Sequence, residues 1–225
     1  MIPIVSIFNL FATFITFGMF LLLKGVYKKS GNENIKSFSY LYLFQSVFLF
    51  LIAVPGILVF DETLIAYAAA FSYLFLYFSL AYIVKIPIVF DQKIREYAFK
   101  TIIVLGVIFL FANILFIQPA ERIDSENFFF YLVQENGLLR ITVGLIPFLI
   151  GAVVFGSFFV EGNRAKSSGN TISTHKSFAI AFGFLILIIS AGINFFLPPT
   201  PLSFVVASIV NIAGWLTIFK GITTS

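Results

Sequence analysis

The side chains that could do chemistry inside the apolar stretches of this 225-residue chain are few and uncharged. Near the start, Ser6, Asn9, Thr13 and Thr16 recur at three, four and three residues, the spacing of one helix face. Ser208, Asn211 and Trp215 do the same near the end, and Ser190 and Asn194 stand at i and i+4. A third run carries Ser72, Tyr73, Tyr77 and Tyr82, and a fourth carries Asn113. Hydroxyl and amide groups in hydrocarbon need partners, so these stripes must face protein or an internal cavity. Two readings stand. One is interhelical glue, with contacts worth on average about 0.6 kcal/mol each. The other is a ligand pocket with aromatic walls from Tyr73, Tyr77 and Trp215 and amide anchors from Asn9, Asn194 and Asn211, joined by Thr13 and Asn113. Apolar walls with a few convergent polar groups describe small-molecule sites generally.

The residue types that are missing narrow the chemistry further. There is no cysteine and one histidine, His175, in a polar loop beside Lys176. Disulfides, thiolate metal sites, thiol catalysis and multi-histidine sites are excluded. No Asp, Glu, Lys or Arg falls near the middle of an apolar run, where proton pumps, ion-coupled transporters and voltage sensors place ionisable groups. Lys220 sits at the end of the last run, too far along for a retinal Schiff base. There is no embedded Asp pair, Ser–His pair or HExxH spacing. The sequence therefore predicts no catalytic residue, no metal site and no cofactor, and the protein is not expected to be an enzyme.

The elements that must hold these groups are membrane helices. Of all residues 60% are hydrophobic and 11% charged, against about 25% charged in soluble domains. Seven stretches approach the roughly 20 apolar residues that cross a bilayer as a helix: 2–23, 38–60, 64–86, 101–117, 138–160, 178–197 and 202–219. They are continuously apolar, unlike the alternating strands of a barrel. The expected fold is an all-α integral membrane bundle of seven transmembrane helices, forming a single domain over 1–225. Twelve of the 14 basic residues fall at one side, from Lys24, Lys28, Lys29 and Lys36 through Lys85, Lys93, Arg95 and Lys100 to Arg164, Lys166, Lys176 and Lys220. Arg122 and Arg140 fall at the other, among Asp61, Glu62, Glu121, Asp124, Glu126 and Glu135. The basic side is expected in the cytoplasm, which puts the N-terminus outside and the C-terminus inside a cell membrane. The net charge of +4 has that simple source, and nucleic acid is not expected as a partner. The first span lacks a basic leader and is too long for a secretory signal peptide. No soluble domain is expected before or after the bundle.

The loops suggest an order. Asp61–Thr63 and the Pro198, Pro199, Thr200 and Pro201 run should close tight outer turns. The inner loops after the first and fifth spans are expected to be longer and polar. One carries Ser30-Gly31-Asn32 and ends Lys36-Ser37-Phe38; the other carries Ser168-Gly169-Asn170 and ends Lys176-Ser177-Phe178. Two readings stand here as well: a 3+1+3 arrangement of two parallel repeats with the fourth helix as linker, or coincidence among common loop residues. The outer segment 118–138, with Phe128-Phe129-Phe130-Tyr131-Leu132-Val133, is expected to lie in the interface or cap the bundle as a short helix or hairpin. The inner stretch 90–99 is expected to be interfacial. Ala152/Gly156 and Ala179/Gly183 should allow close helix approach, and Pro55 and Pro147 should free carbonyls inside the second and fifth helices.

From Arg164 onward the residues carry a likeness. A basic loop with Lys166, Ser168, Gly169 and Lys176 leads into Phe178-Ala179-Ile180-Ala181-Phe182-Gly183, then Gly192-Ile193-Asn194-Phe195-Phe196-Leu197-Pro198 and a last helix ending in Lys220. This resembles the C-terminal part of the seven-helix membrane sensor regions found ahead of bacterial and archaeal histidine kinases. Asn194 and Pro198 match that family's Asn-x-x-Leu-Pro element, and Lys36-Ser37-Phe38 is similar to its first loop. The likeness covers the whole chain in topology, but in motif about a third of it. It implies an N-out bundle that receives a signal at the membrane and passes it to a cytoplasmic output domain; the kinase itself is not in this sequence.

Three functions follow as expectations. The first is a sensor or receptor-like module that binds a small apolar or neutral ligand, or responds to the bilayer, and signals to a separate cytoplasmic protein. The second is an uncoupled transporter of a small neutral solute on the plan of SWEET sugar transporters, although their proline placement in each half is not seen. The third is a membrane scaffold or assembly subunit whose Phe-rich faces serve partner helices, among them those of a second copy in a homo-oligomer. The lipid bilayer is a partner in all three.

Overall fold

The computed structural model describes residues 1–59, 61–86, 91–124, 127–133, 137–197 and 200–224, the side chains of 137–140 and 142 aside. The expected turn at Pro198 and Pro199, the span end Phe60, the start of the expected interfacial stretch at Phe90, Glu126, Glu135 and the Arg140 side chain lie outside the described residues.

Among the described residues seven helices follow in order: α1 (Ile4–Ser30), α2 (Glu33–Leu58), α3 (Glu62–Val84), α4 (Gln92–Leu115), α5 (Gly137–Ser167), α6 (Thr171–Phe196) and α7 (Pro201–Thr223). All seven are long and apolar enough to cross a bilayer, the architecture of a multi-pass membrane protein. Each packs on its chain neighbour except across the α4–α5 connection; α7 also packs on α1, and α3 touches α5. Six helices thus close a ring, and α4 packs on α3.

The helices run further into the basic end than the apolar runs predict. The loops expected after the first and fifth spans shrink to Gly31-Asn32 and to residues 168–170, because their polar residues are caps. Gly31 at φ 65° and Gly169 at φ 75° adopt the left-handed conformation that ends a helix. Asn32 and Asn170 then accept hydrogen bonds from the amides of Asn34 and Ser173, starting α2 and α6. Most of the stretch expected to be interfacial, 92–99, is the start of α4. Its Arg95 donates through Nη1 to the carbonyl of Lys85, 3.2 Å away, at the end of α3.

At the opposite end the aromatic segment forms a hairpin, β2 (Glu121–Asp124) against β3 (Phe128–Leu132). A third strand, β1 (Ile2–Pro3), pairs parallel to β3, with Ile2 opposite Phe128 and Pro3 opposite Phe129. The first helix therefore begins at Ile4 rather than Ile2: a residue before proline favours extended backbone. Phe130, 2% exposed, packs on Phe204 of α7 with ring centroids 5.5 Å apart. Arg122 lies over the Phe129 ring at 4.2 Å and bonds Asp124 at 2.8 Å, which raises its pKa above the ordinary value. The Ala120 amide donates to the Glu62 carbonyl, tying the sheet to α3. The structure thus makes the hairpin a cap on the ring.

Close packing of α6 on α7 comes from glycines on both. A Cβ on Gly183 would sit 2.8 Å from the Ile218 amide nitrogen and 3.0 Å from the Gly214 carbonyl, and one on Gly214 would meet the Gly183 carbonyl at 3.1 Å. The other expected small pair is not used within the chain. Ala152 is exposed and Gly156 faces open space, while Gly151, one position earlier, meets Ile188 of α6. The rotation of α5, set by its packing, decides which small residue makes the approach.

Candidate functional site

The six-helix ring surrounds a partly open cavity of about 260 Å³ under the sheet. It runs along α7 from Phe204 to Trp215, roughly 16 Å at the rise of an α-helix. Tyr131, Leu132 and Val133 of the cap form one end, and α4 contributes no lining residue among those described. Most of the wall is aliphatic and aromatic. The polar groups on it are the amides of Asn9, Gln45, Asn194 and Asn211, the hydroxyls of Ser79, Ser190, Ser208, Tyr73 and Tyr131, and the Trp215 indole. No carboxylate, ammonium, guanidinium or imidazole lines it among the described residues.

Of the eight residues predicted to form a pocket, Asn9, Tyr73, Asn194, Asn211 and Trp215 come together on this wall. Thr13, Tyr77 and Asn113 do not, and each has a local reason. Thr13 donates its hydroxyl to the Asn9 carbonyl at 2.9 Å, one turn back on its own helix. Asn113 does the same through Nδ2 to the Phe109 carbonyl at 2.8 Å. Such back-bonding satisfies a polar group with no other helix involved. Tyr77 is fully buried at the α3–α4–α5 junction, its ring 5.4 Å from that of Phe109 and its hydroxyl 3.3 Å from the Val143 carbonyl.

Sequence reasoning passed over Gln45. It is 2% exposed in the middle of α2 and lines the cavity. The signal was available, since an amide in mid-span needs a reason to be there, but the aromatic run around it hid the point.

The wall groups differ in how well they are satisfied. The Ser190 hydroxyl donates to the Ala207 carbonyl at 2.9 Å, joining α6 to α7. The single proton of the Ser208 hydroxyl has two acceptors, the Phe204 carbonyl at 2.9 Å and Asn9 Oδ1 at 3.4 Å, and the shorter contact is the better bond. Tyr73 and Asn194 are also engaged. Trp215 is 4% exposed; its ring meets that of Tyr42 edge to face at 5.3 Å, and its carbonyl accepts the Tyr42 hydroxyl at 2.8 Å. Two polar atoms of wall residues, Asn211 Oδ1 and Trp215 Nε1, are packed behind the cavity surface without a partner. Among the described residues the third such atom is Arg95 Nε, at the basic end. A buried donor or acceptor without a partner is unfavourable by about 1–3 kcal/mol.

No group of three or more His, Asp or Glu side chains converges among the described residues. No protein-family model matches this chain, and no curated protein matches it.

Proposed function

We propose that this protein is a membrane-embedded sensor, which binds a small neutral ligand inside the six-helix ring and passes the change to a separate cytoplasmic partner. One observation carries the reading: a cavity under the sheet is lined mainly by apolar residues, with amides and hydroxyls among them and no carboxylate, ammonium, guanidinium or imidazole among the described residues. Amides and an indole on apolar walls suit recognition of a neutral molecule, and no carboxylate or imidazole among the described lining residues is there to serve as a general base. In the proposed orientation the sheet faces outside and the basic helix ends face the cytoplasm, in line with the lysine and arginine bias.

Signalling requires a ligand that favours one arrangement of the helices over another. The Tyr42–Trp215 clasp supports a route, because it joins a wall residue of α7 to α2, which begins at the basic end. The test is full-length protein in proteoliposomes with a single cysteine at Ser168, labelled with and without ligand. A ligand-dependent labelling rate is expected. Saturable flux of the same ligand across the bilayer would overturn the sensor reading in favour of transport.

The transport reading is the second, and a specific observation favours it. Apart from the cap, the lining comes from α1, α2 and α3 and from α5, α6 and α7, with none from α4 among the described residues. Each set opens with the same glycine and asparagine caps after its first helix. That is the pattern expected of two three-helix repeats joined by a linker helix.

A further inference from the structure

The outer face of α4 changes character along its length. Lys93, Tyr97 and Lys100 stand at four and three residues, and Val104, Ile108 and Phe111 continue the row at four, four and three, so all six share one helix face. All six are exposed. The opposite face turns Phe99, Gly106 and Phe109 to Tyr82 and Tyr77 of α3. Two lysines about a tyrosine are thus followed, on one face, by three apolar side chains.

The basic turns are held in place. Arg95 donates through Nη1 to the Lys85 carbonyl at 3.2 Å, and the Lys85 ammonium sits 3.9 Å from the centre of the Phe99 ring. Among the described residues neither Lys93 nor Lys100 has a carboxylate at ion-pair distance, although Asp91 and Glu96 belong to the same turns. Lys100 adjoins the apolar run that begins at Thr101, and Lys93 lies about 10 Å back along the helix. Lysine stems are long enough to bring both ammoniums to the headgroup layer. Tyr97 is 74% exposed between them, and tyrosines gather at the membrane–water interface.

A partner that fits this row carries negative charge at one end and hydrocarbon at the other. An acidic peptide would meet the lysines and leave the apolar residues uncovered. A zwitterionic lipid would cover the apolar residues and leave the two positive charges unmatched. We infer that the outer face of α4 binds an anionic phospholipid, its phosphate held by Lys93 and Lys100 beside Tyr97 and its acyl chains along Val104, Ile108 and Phe111. This site is independent of what the cavity holds.

Native mass spectrometry of the full chain in a non-ionic detergent, titrated with dioleoyl phosphatidylglycerol and with dioleoyl phosphatidylcholine, tests the assignment. The anionic lipid is expected to stay bound at concentrations at least about tenfold below the zwitterionic one. Lys93→Gln with Lys100→Gln should remove that preference. Lys28→Gln with Lys29→Gln, an exposed basic pair at the same end on α1, should leave it intact. If a variant does not fold, the wild-type lipid series decides alone. Equal retention of the two lipids, or a preference that the α1 pair removes just as well, would overturn the site. So would displacement of the bound lipid by inorganic phosphate or by polyglutamate, or a two-chain particle that Phe111→Ala splits and added lipid leaves intact.

Discussion

The Tyr77 hydroxyl donates to the carbonyl oxygen of Val143, across 3.3 Å. Val143 stands four residues before Pro147, which has no N–H to give it. A side chain of α3 therefore serves the acceptor that the α5 proline leaves open, at a fully buried position. Gly106 of α4 lets α4 pack there, since a Cβ on it would sit 2.6 Å from the Tyr77 Cβ.

That relationship predicts a coupled pair. Tyr77→Phe should destabilise the bundle by about 1–3 kcal/mol, because it leaves a buried carbonyl short of a partner. Pro147→Ala restores the helical amide, so in that background Tyr77→Phe should have a much smaller effect. Melting of the four proteins of this cycle in one detergent measures the coupling. Additive effects would contradict the assignment.

Tyr42→Phe should be milder, about 1 kcal/mol, although Tyr42 is equally buried and its bond to the Trp215 carbonyl is shorter, at 2.8 Å. That carbonyl lies within α7 with no proline four residues on, so it keeps its helical amide. The same melting assay ranks the two variants.

Gly183→Ala should loosen α6 from α7 and lower stability by about 1–3 kcal/mol, because backbone atoms of α7 occupy the space its Cβ needs. Gly156→Ala, which faces open space inside a helix, should be neutral or slightly stabilising. Melting of both variants checks the contrast.

The cap should control entry to the cavity. Phe130→Ala removes the ring that packs on Phe204, and a cysteine at Ser208 then reports exposure of the wall. The chain has no cysteine of its own. The labelling rate by a water-soluble thiol reagent should rise by about tenfold or more in the Phe130→Ala background. For orientation, a cysteine at Thr63 should label from outside the cell and one at Ser168 should not.

How much of this was legible depended on how local each cause is. The seven helices follow from hydropathy alone. Their ends at the basic side do not: Lys24, Lys28 and Lys29 read as loop yet lie within α1, because a helix can outrun its apolar stretch, its long basic side chains reaching water. Ser-Gly-Asn read as a loop word, when its glycine and asparagine are the loop's two caps. A polar residue at helical spacing looks the same whether it points into a cavity, as Asn211 does, or bonds back to its own helix, as Thr13 and Asn113 do. The carbonyl freed by Pro147 was predictable, but the tyrosine that meets it comes from another helix. The same non-local cause put Gly151, rather than Gly156, against α6.

The account centres on a cavity that holds an uncharged guest. A cavity whose described lining carries no carboxylate, ammonium, guanidinium or imidazole should bind with an affinity that is flat from about pH 5.5 to about pH 8.5, and isothermal titration at several pH values would test that.

The most direct measurement is native mass spectrometry of the protein taken gently from the membranes in which it was made, beside the cavity-filling variant Ala191→Phe. The account predicts one small uncharged adduct on the wild type, at one per chain, that is missing from the variant. A wild type free of any adduct, whose melting no member of a panel of neutral small molecules alters, would contradict it.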